Sequence, residues 1–361
     1  MNCNNDITKL LGIENPIVQA PMFGVTTPEM VVAASKAGCL GSLALADLSA
    51  DKCIEAIRRT KQLTDQPFAV NIFVHAIPEV TESLKTKYAA AKNFIEQLAE
   101  HHQLAIALPE ISEIKINGYQ EQVDAIISEG CKIVSFTFGN LDSDSIQKLK
   151  SNGTVMIGTC TSVTEAIILE QSGIDIICVQ GLEAGGHRGS FASETIPEIG
   201  GFSLLSQVST AVKVPLIYAG GISNAKTLLA SKVLGASGFQ VGSLLLGSAE
   251  SALEEFEKAR LRNVKEEDIV LTKSFSGRFA RGIKNIFISE TDKTPHILPY
   301  PYQNKLTAKL RKEAKNKKNA DFVNIWVGQS IGNYSGQSTT EILRKLIEEI
   351  KNEFTRSKEV I

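Results

Sequence analysis

Short apolar runs rich in β-branched residues recur along the chain, each followed by a stretch with helical spacing. The runs are "IVQAPM" (17–22), "LGSLAL" (40–45), "FAVNIFV" (68–74), "KIVSFTF" (132–138), "TVMIGT" (154–159), "IDIICVQ" (174–180), "VPLIYAG" (214–220) and "GFQVGSLLL" (238–246). Helical patterns such as "TPEMVVAASKAG", "VTEAIILEQS" and "AKTLLASKVLG" lie between them. Nearly continuous apolar character is the mark of parallel strands buried on both faces. Eight such strands alternating with helices predict an α/β fold of the (β/α)8, TIM-barrel type, with a doubly wound open sheet as the alternative.

Two regions depart from the repeat. Residues 75–131 hold more helix than one crossover needs, and 251–336 follow the eighth strand with "SFSGRFARGIKN" and "LPYPYQN". The expected organisation is a barrel over 1–250, completed by the amphipathic helix 338–354, with 251–336 inserted as a smaller, mainly helical cap. The basic run "LRKEAKNKKN" (310–319) reads as a solvated helix face without a specific anionic partner.

Composition narrows the class. The 361 residues carry a net charge of −2, which gives no reason to expect a nucleic-acid or anionic-membrane partner. No apolar run approaches the length of a membrane span, and the polar N-terminus does not read as a signal peptide. Six scattered cysteines without a C-x-x-C pair suggest reduced thiols in a cytoplasmic protein and no metal site.

Barrel active sites gather at the C-terminal ends of the strands. There the sequence places Met22 and Gly24, Asn71 and His75, Gly139, Thr159, Gln180 and Gly181, Gly220 and Gly221, and the run Gln240, Val241, Gly242 and Ser243. Glycines at the seventh and eighth strand ends suit a phosphate held on backbone N–H groups, with the Ser243 hydroxyl as a further donor. Neither a strand–GxGxxG–helix fingerprint nor a GxxxxGK[ST] loop is present. A phosphate joined to a flat aromatic body fits this rim, and Asn71 and Gln180 could address a polar ring edge.

The segments "QAPMFGVTTPEM", "NIFVH", "FTFG", "VQGLEAGGHRGSF", "PLIYAGGIS" and "GASGFQVGS" occur in the order seen in nitronate monooxygenases of the first class, formerly 2-nitropropane dioxygenases. With "FSGRFARGI", "PYPYQN" and "IWVGQS", the chain resembles that family over its whole length. The resemblance implies an FMN-dependent enzyme that oxidises alkyl nitronates, such as propionate 3-nitronate, with O2 to a carbonyl compound and nitrite. It carries cofactor contacts onto Met22, Phe23, Asn71, Gln180, Gly185, Gly221 and the run Gln240 to Ser243, and the active-site histidine onto His187. Ser243 stands where the family usually has threonine, which keeps the hydroxyl.

His187 is expected to meet the substrate, hydrogen-bonding its nitro oxygens or, if protonated, neutralising its charge. Glu183 and Arg188 are expected to brace the glycine-rich loop. Tyr300, Tyr302 and Lys305 are placed over the substrate pocket, and His75 is either structural or near the substrate. Two competing readings stay open: a flavin-dependent NAD(P)H enoyl-acyl-carrier reductase of the same superfamily, and a flavin-binding protein without turnover. A homodimer is compatible with either.

Overall fold

A computed structural model describes residues 5–193 and 195–359. The strands in chain order are β1 (Ile17–Gln19), β2 (Gly41–Ala46), β3 (Phe68–Phe73), β4 (Ile133–Thr137), β5 (Val155–Cys160), β6 (Ile176–Gln180), β7 (Gly186–His187), β8 (Leu216–Ala219), β9 (Gly238–Val241), β10 (Ile269–Thr272) and β11 (Ala280–Ile283). All of them except β7, β10 and β11 form one parallel sheet in the order β1-β9-β8-β6-β5-β4-β3-β2. A parallel bridge between Val18 and Leu40 joins β1 to β2 and closes the barrel. Gln19 N donates to Leu40 O at 2.8 Å, and Leu40 N to Ile17 O at 2.9 Å.

The period of two along each strand sorts side chains between two environments. Val70, Ile72, Val134, Phe136, Met156, Ile177, Val179, Phe239 and Val241 face the surrounding helices in one large apolar cluster. The alternate positions point inward and change character along the barrel axis. At the N-terminal end Ala69, Ile133, Ile157, Ile176 and Ile217 pack with Ile7 and Leu11 of the helix Asp6–Leu11. At the C-terminal end the inward positions are Asn71, Thr137, Thr159, Gln180 and Gln240, which line a cavity. The barrel thus has an apolar floor and a polar mouth.

Beyond the eight barrel strands, a second apolar cluster forms over the mouth. It joins Phe275, Phe287, Leu306, Leu310 and Phe322 with Leu84, Tyr88 and Ile95 of the helix Glu82–His101. That helix explains the surplus in 75–131, since its apolar stripe packs in the cluster over the mouth. β10 and β11 pair antiparallel, and β7 adds to the free edge of β11. The final helix Thr339–Glu359 packs against the helices Ala225–Val233 and Pro28–Ser35, between the last barrel unit and the first. Among the described residues no helix is long and apolar enough to cross a membrane.

Candidate active site

The cavity at the barrel mouth measures about 490 Å³. It brings together Met22, Phe23, Asn71, Gln180, Gly185, His187, Gly220, Gly221, Gln240, Gly242, Ser243 and Tyr300. Four of the sequence-selected residues lie elsewhere. Val241 has the wrong parity and packs against the helices. The Tyr302 hydroxyl donates to Pro78 O at 2.7 Å, and Lys305 pairs with Asp47 at 2.6 Å. His75 lies behind the wall, its ring edge-on to Tyr300 with centroids 4.6 Å apart.

The glycines and polar side chains of the mouth can be tested against a phosphate beside a flat ring. Gly220 and Gly221 take φ of +122° and +69°, where a side chain would be strained, and both line the cavity. The N–H groups of Gly221 and Ser243 meet no protein acceptor among the described residues. Ser243 Oγ accepts the Gly328 N–H at 2.8 Å and keeps its own hydrogen to donate. These features fit a phosphate. Gly185 shows a different need. A Cβ there would stand 2.5 Å from Gly328 N and 2.6 Å from Val327 C, so only glycine lets the loop pass beneath the cap segment. Asn71 Nδ2 donates to Ser135 Oγ at 2.9 Å, which leaves its carbonyl oxygen to accept. The Gln180 amide is already committed, unlike the free ring-edge contact expected from sequence: Nε2 donates to His187 O and Oε1 accepts Gly189 N–H, each at 2.9 Å.

Gln180 thereby clips the loop that carries His187, and five further side chains hold it. Arg188, fully buried, donates to Gly181 O at 2.5 Å and Gln180 O at 3.2 Å. Arg281 Nε donates to Leu182 O at 3.0 Å, and Arg278 reaches Ser190 O. Glu165 accepts from Phe191 N at 2.5 Å and Ala192 N at 3.0 Å. Glu183 bonds Tyr218 Oη at 2.5 Å and Gly201 N at 3.0 Å, tying the loop to the next helix. Pairing of β7 with β11 then fixes His187 opposite Ala280.

His187 sits among aromatic rings: Phe138 at 5.4 Å, Trp326 at 5.5 Å and Phe73 at 6.3 Å between centroids. Its Nε2 lies 2.8 Å from Ser276 Oγ. The Ser276 hydroxyl also lies 3.1 Å from Arg278 O, and when it donates there Nε2 carries the hydrogen and Nδ1 the lone pair. Burial, followed by the positive charges of Arg278 and Arg311, pushes the His187 pKa down to about 3. Burial and these charges therefore favour the neutral imidazole near pH 7. Arg278 lies 4.3 Å over the Phe138 ring. Phe138 itself adopts φ +80°, a costly conformation for an aromatic residue, at the end of β4.

Sequence reasoning passed over Ser276, Arg278, Arg311, Trp326 and Asp47. Asp47 follows a predicted strand and could have been found by that rule. The others belong to the cap, whose segments have no barrel register to place them. Among the described residues, no cluster of histidine, cysteine and acidic side chains could hold a metal.

Comparison with known proteins covers nearly the whole chain. Residues 4–349 match the family described as nitronate monooxygenase. A probable nitronate monooxygenase of Staphylococcus saprophyticus is 39% identical over 98% of this chain and 100% of its own length. Its counterpart in Staphylococcus aureus is 37% identical over 96% and 97%. Among solved structures, nitroalkane oxidase from Streptomyces ansochromogenes superposes with a TM-score of 0.87 at 31% identity, covering 98% of this chain and 99% of its own. FabK from Thermotoga maritima gives 0.76 at 26%, with 98% of each chain covered. A closed parallel barrel with a glycine-lined mouth and a histidine loop clamped to the cap thus accompanies an end-to-end sequence match: the chain belongs to the nitronate monooxygenase family of oxidoreductases.

Proposed function

We propose that this enzyme oxidises alkyl nitronates with O2 to a carbonyl compound and nitrite, using non-covalent FMN. The observation that carries the reading is the buried, oriented His187 in an aromatic-walled cavity whose rim is lined by Gly220, Gly221 and Gly242. When bound, the flavin would supply the redox chemistry, taking an electron from the nitronate in a reaction that also consumes O2. The residues do the rest. Gly220, Gly221, Gly242 and Ser243 would hold the phosphate, and Met22, Phe23, Asn71 and Gly185 would border the ring. Arg278 and Arg311 draw in the anionic substrate. His187 touches it and, should a neutral nitroalkane enter, accepts its proton at Nδ1. A nitronate arrives already deprotonated and needs no base. The aromatic rings exclude water from this step. We assign the barrel with the final helix to cofactor binding and 251–336 to the substrate cap, and we place the enzyme in the cytoplasm, in keeping with five free buried cysteines.

The test is anaerobic mixing of the yellow protein with a nitronate, then O2 uptake, nitrite assay and mass analysis of the released cofactor. Flavin bleaching by nitronate, nitrite in air and the mass of FMN are expected. Oxidation of NADH with an enoyl thioester, without nitrite from nitronate, would overturn the proposal in favour of a reductase. FAD in the extract would overturn the cofactor assignment.

A further inference from the structure

The cap segment 325–330 runs from a sheet edge to the rim of the cavity. Its first half lies along the edge of β11 opposite β10. Ile283 N donates to Ile325 O at 3.0 Å, Trp326 bridges Gly282, and Val327 N donates to Arg281 O at 3.2 Å. β7 occupies the same edge, with Gly186 opposite Arg281 and His187 opposite Ala280. One strand edge thus carries the histidine loop and the Trp326 segment side by side, with the two rings 5.5 Å apart between centroids. Trp326, the one tryptophan of the sequence, lines the cavity.

Past Trp326 the segment is tied to the barrel rim. Gly328 N–H donates to Ser243 Oγ at 2.8 Å, Gln329 N–H to Glu183 O at 2.9 Å, and Ser330 Oγ to Gly221 O at 3.1 Å. The fit leaves no slack: a Cβ on Gly328 would stand 2.7 Å from Glu183 O and 3.0 Å from Gly185 N. Two of the three anchors share a property. Ser243 receives the segment on its oxygen and keeps its hydrogen, while Gly221 receives it on its carbonyl and keeps an N–H without a protein acceptor among the described residues. Both residues line the cavity. A phosphate that takes those two donors therefore holds the same two residues that hold the segment. A hydroxyl that donates to an anion also becomes a stronger acceptor for its second hydrogen bond, here the one from Gly328.

We propose that Ser243 is a positioning residue for the substrate pocket: by joining the phosphate site to Gly328, it makes cofactor binding set the place of Trp326 beside His187. The phosphate then does more than retain the flavin. It fixes the rim end of the segment, the β11 edge fixes the other end, and the Trp326 wall is held between them. Riboflavin, which has the ring and lacks the phosphate, is expected to fill the mouth and leave this wall loose. The inference rests on the proposed flavin phosphate for its trigger and on the bonds of segment 325–330 for its path.

The experiment follows amide hydrogen exchange of the full chain loaded with FMN, with riboflavin, and with riboflavin plus excess inorganic phosphate. Peptides covering 324–331 should exchange roughly twofold to tenfold faster with riboflavin, the range set by one neutral hydrogen bond, and slow again when phosphate is added. Ser243→Ala saturated with FMN should behave as wild type does with riboflavin. Ser243→Thr, which keeps the hydroxyl, should behave as wild type does with FMN. Peptides around Ile7 and Leu11 on the barrel floor should not change in any form. In anaerobic mixing with a nitronate, the limiting rate of flavin reduction should fall in Ser243→Ala by a similar factor at full flavin occupancy and return in Ser243→Thr. Mass analysis of the bound flavin reads the cofactor assignment separately, and exchange needs no turnover, so failure of the enzyme reading is distinguishable from failure of the positioning role. Equal exchange of 324–331 with FMN and with riboflavin would overturn the proposal. So would faster exchange spread evenly over the barrel. Slower reduction in Ser243→Ala with unchanged exchange would also overturn it, by confining the hydroxyl to holding the cofactor.

Discussion

Lowering the pH from 7 to 5 should destabilise this protein through His187 in particular. In the unfolded chain the imidazole takes up a proton near its ordinary pKa of 6.5, whereas in the folded protein that pKa lies at about 3. Below 6.5 the unfolded state therefore binds a proton that the native state refuses, and stability falls as pH falls until the native pKa is reached. Each unit in this window is worth about 1.4 kcal/mol, so the loss by pH 5 is about 2 kcal/mol. The half-buried position of the residue makes this a ceiling, because residual solvent screens the two arginines. The assay is urea unfolding of wild-type holoenzyme and His187→Gln at pH 7 and pH 5 with excess flavin. The variant has no imidazole to protonate, so it should lose about 2 kcal/mol less than wild type over the same interval. Carboxylates and other histidines contribute equally to both proteins and cancel. A parallel measurement is the pH profile of kcat/KM for nitronate, which should show no ionisation near 6.5. Equal pH sensitivity of the two proteins, together with an NMR titration of His187 near 6.5, would refute the neutral-histidine argument.

Gly221→Asp should abolish flavin binding, because it puts a carboxylate at the proposed phosphate site and a side chain at φ +69°, its Cβ 3.1 Å from Glu183 Cγ. The ratio of visible to ultraviolet absorbance reads this directly, and normal flavin content would reduce the glycine to a turn. Glu165→Gln should keep the flavin but lower kcat roughly tenfold, since one amide oxygen replaces a carboxylate that accepts four hydrogen bonds, two of them from Phe191 and Ala192 at the end of the His187 loop. Unchanged turnover would show that the loop holds its shape without that anchor.

What the sequence determined by itself was the barrel and its rim. Apolar period and β-branched content are local properties, and eight repeats left little choice of architecture. The same period of two placed Asn71, Gln180 and Gln240 at the mouth, and it could have removed Val241 from the list, because a neighbouring strand residue must face the other way. Glycine chemistry singled out Gly220 and Gly221 for a similarly local reason, and both stand at positive φ on the cavity rim. The cap was another matter. Its sheet is completed by β7 from the barrel side, and its core borrows the helix Glu82–His101 from far upstream. Contacts between segments nearly 200 residues apart leave no periodic trace. The protonation state of His187 was decided in the same way: desolvation and the fields of Arg278 and Arg311 exist only once cap and barrel meet. Arg311 shows the limit most directly. Its sequence neighbours mark a solvated helix face, but the side of a helix that meets a cavity is set by what packs on Leu310 and Ala314, and only the assembled fold supplies that partner.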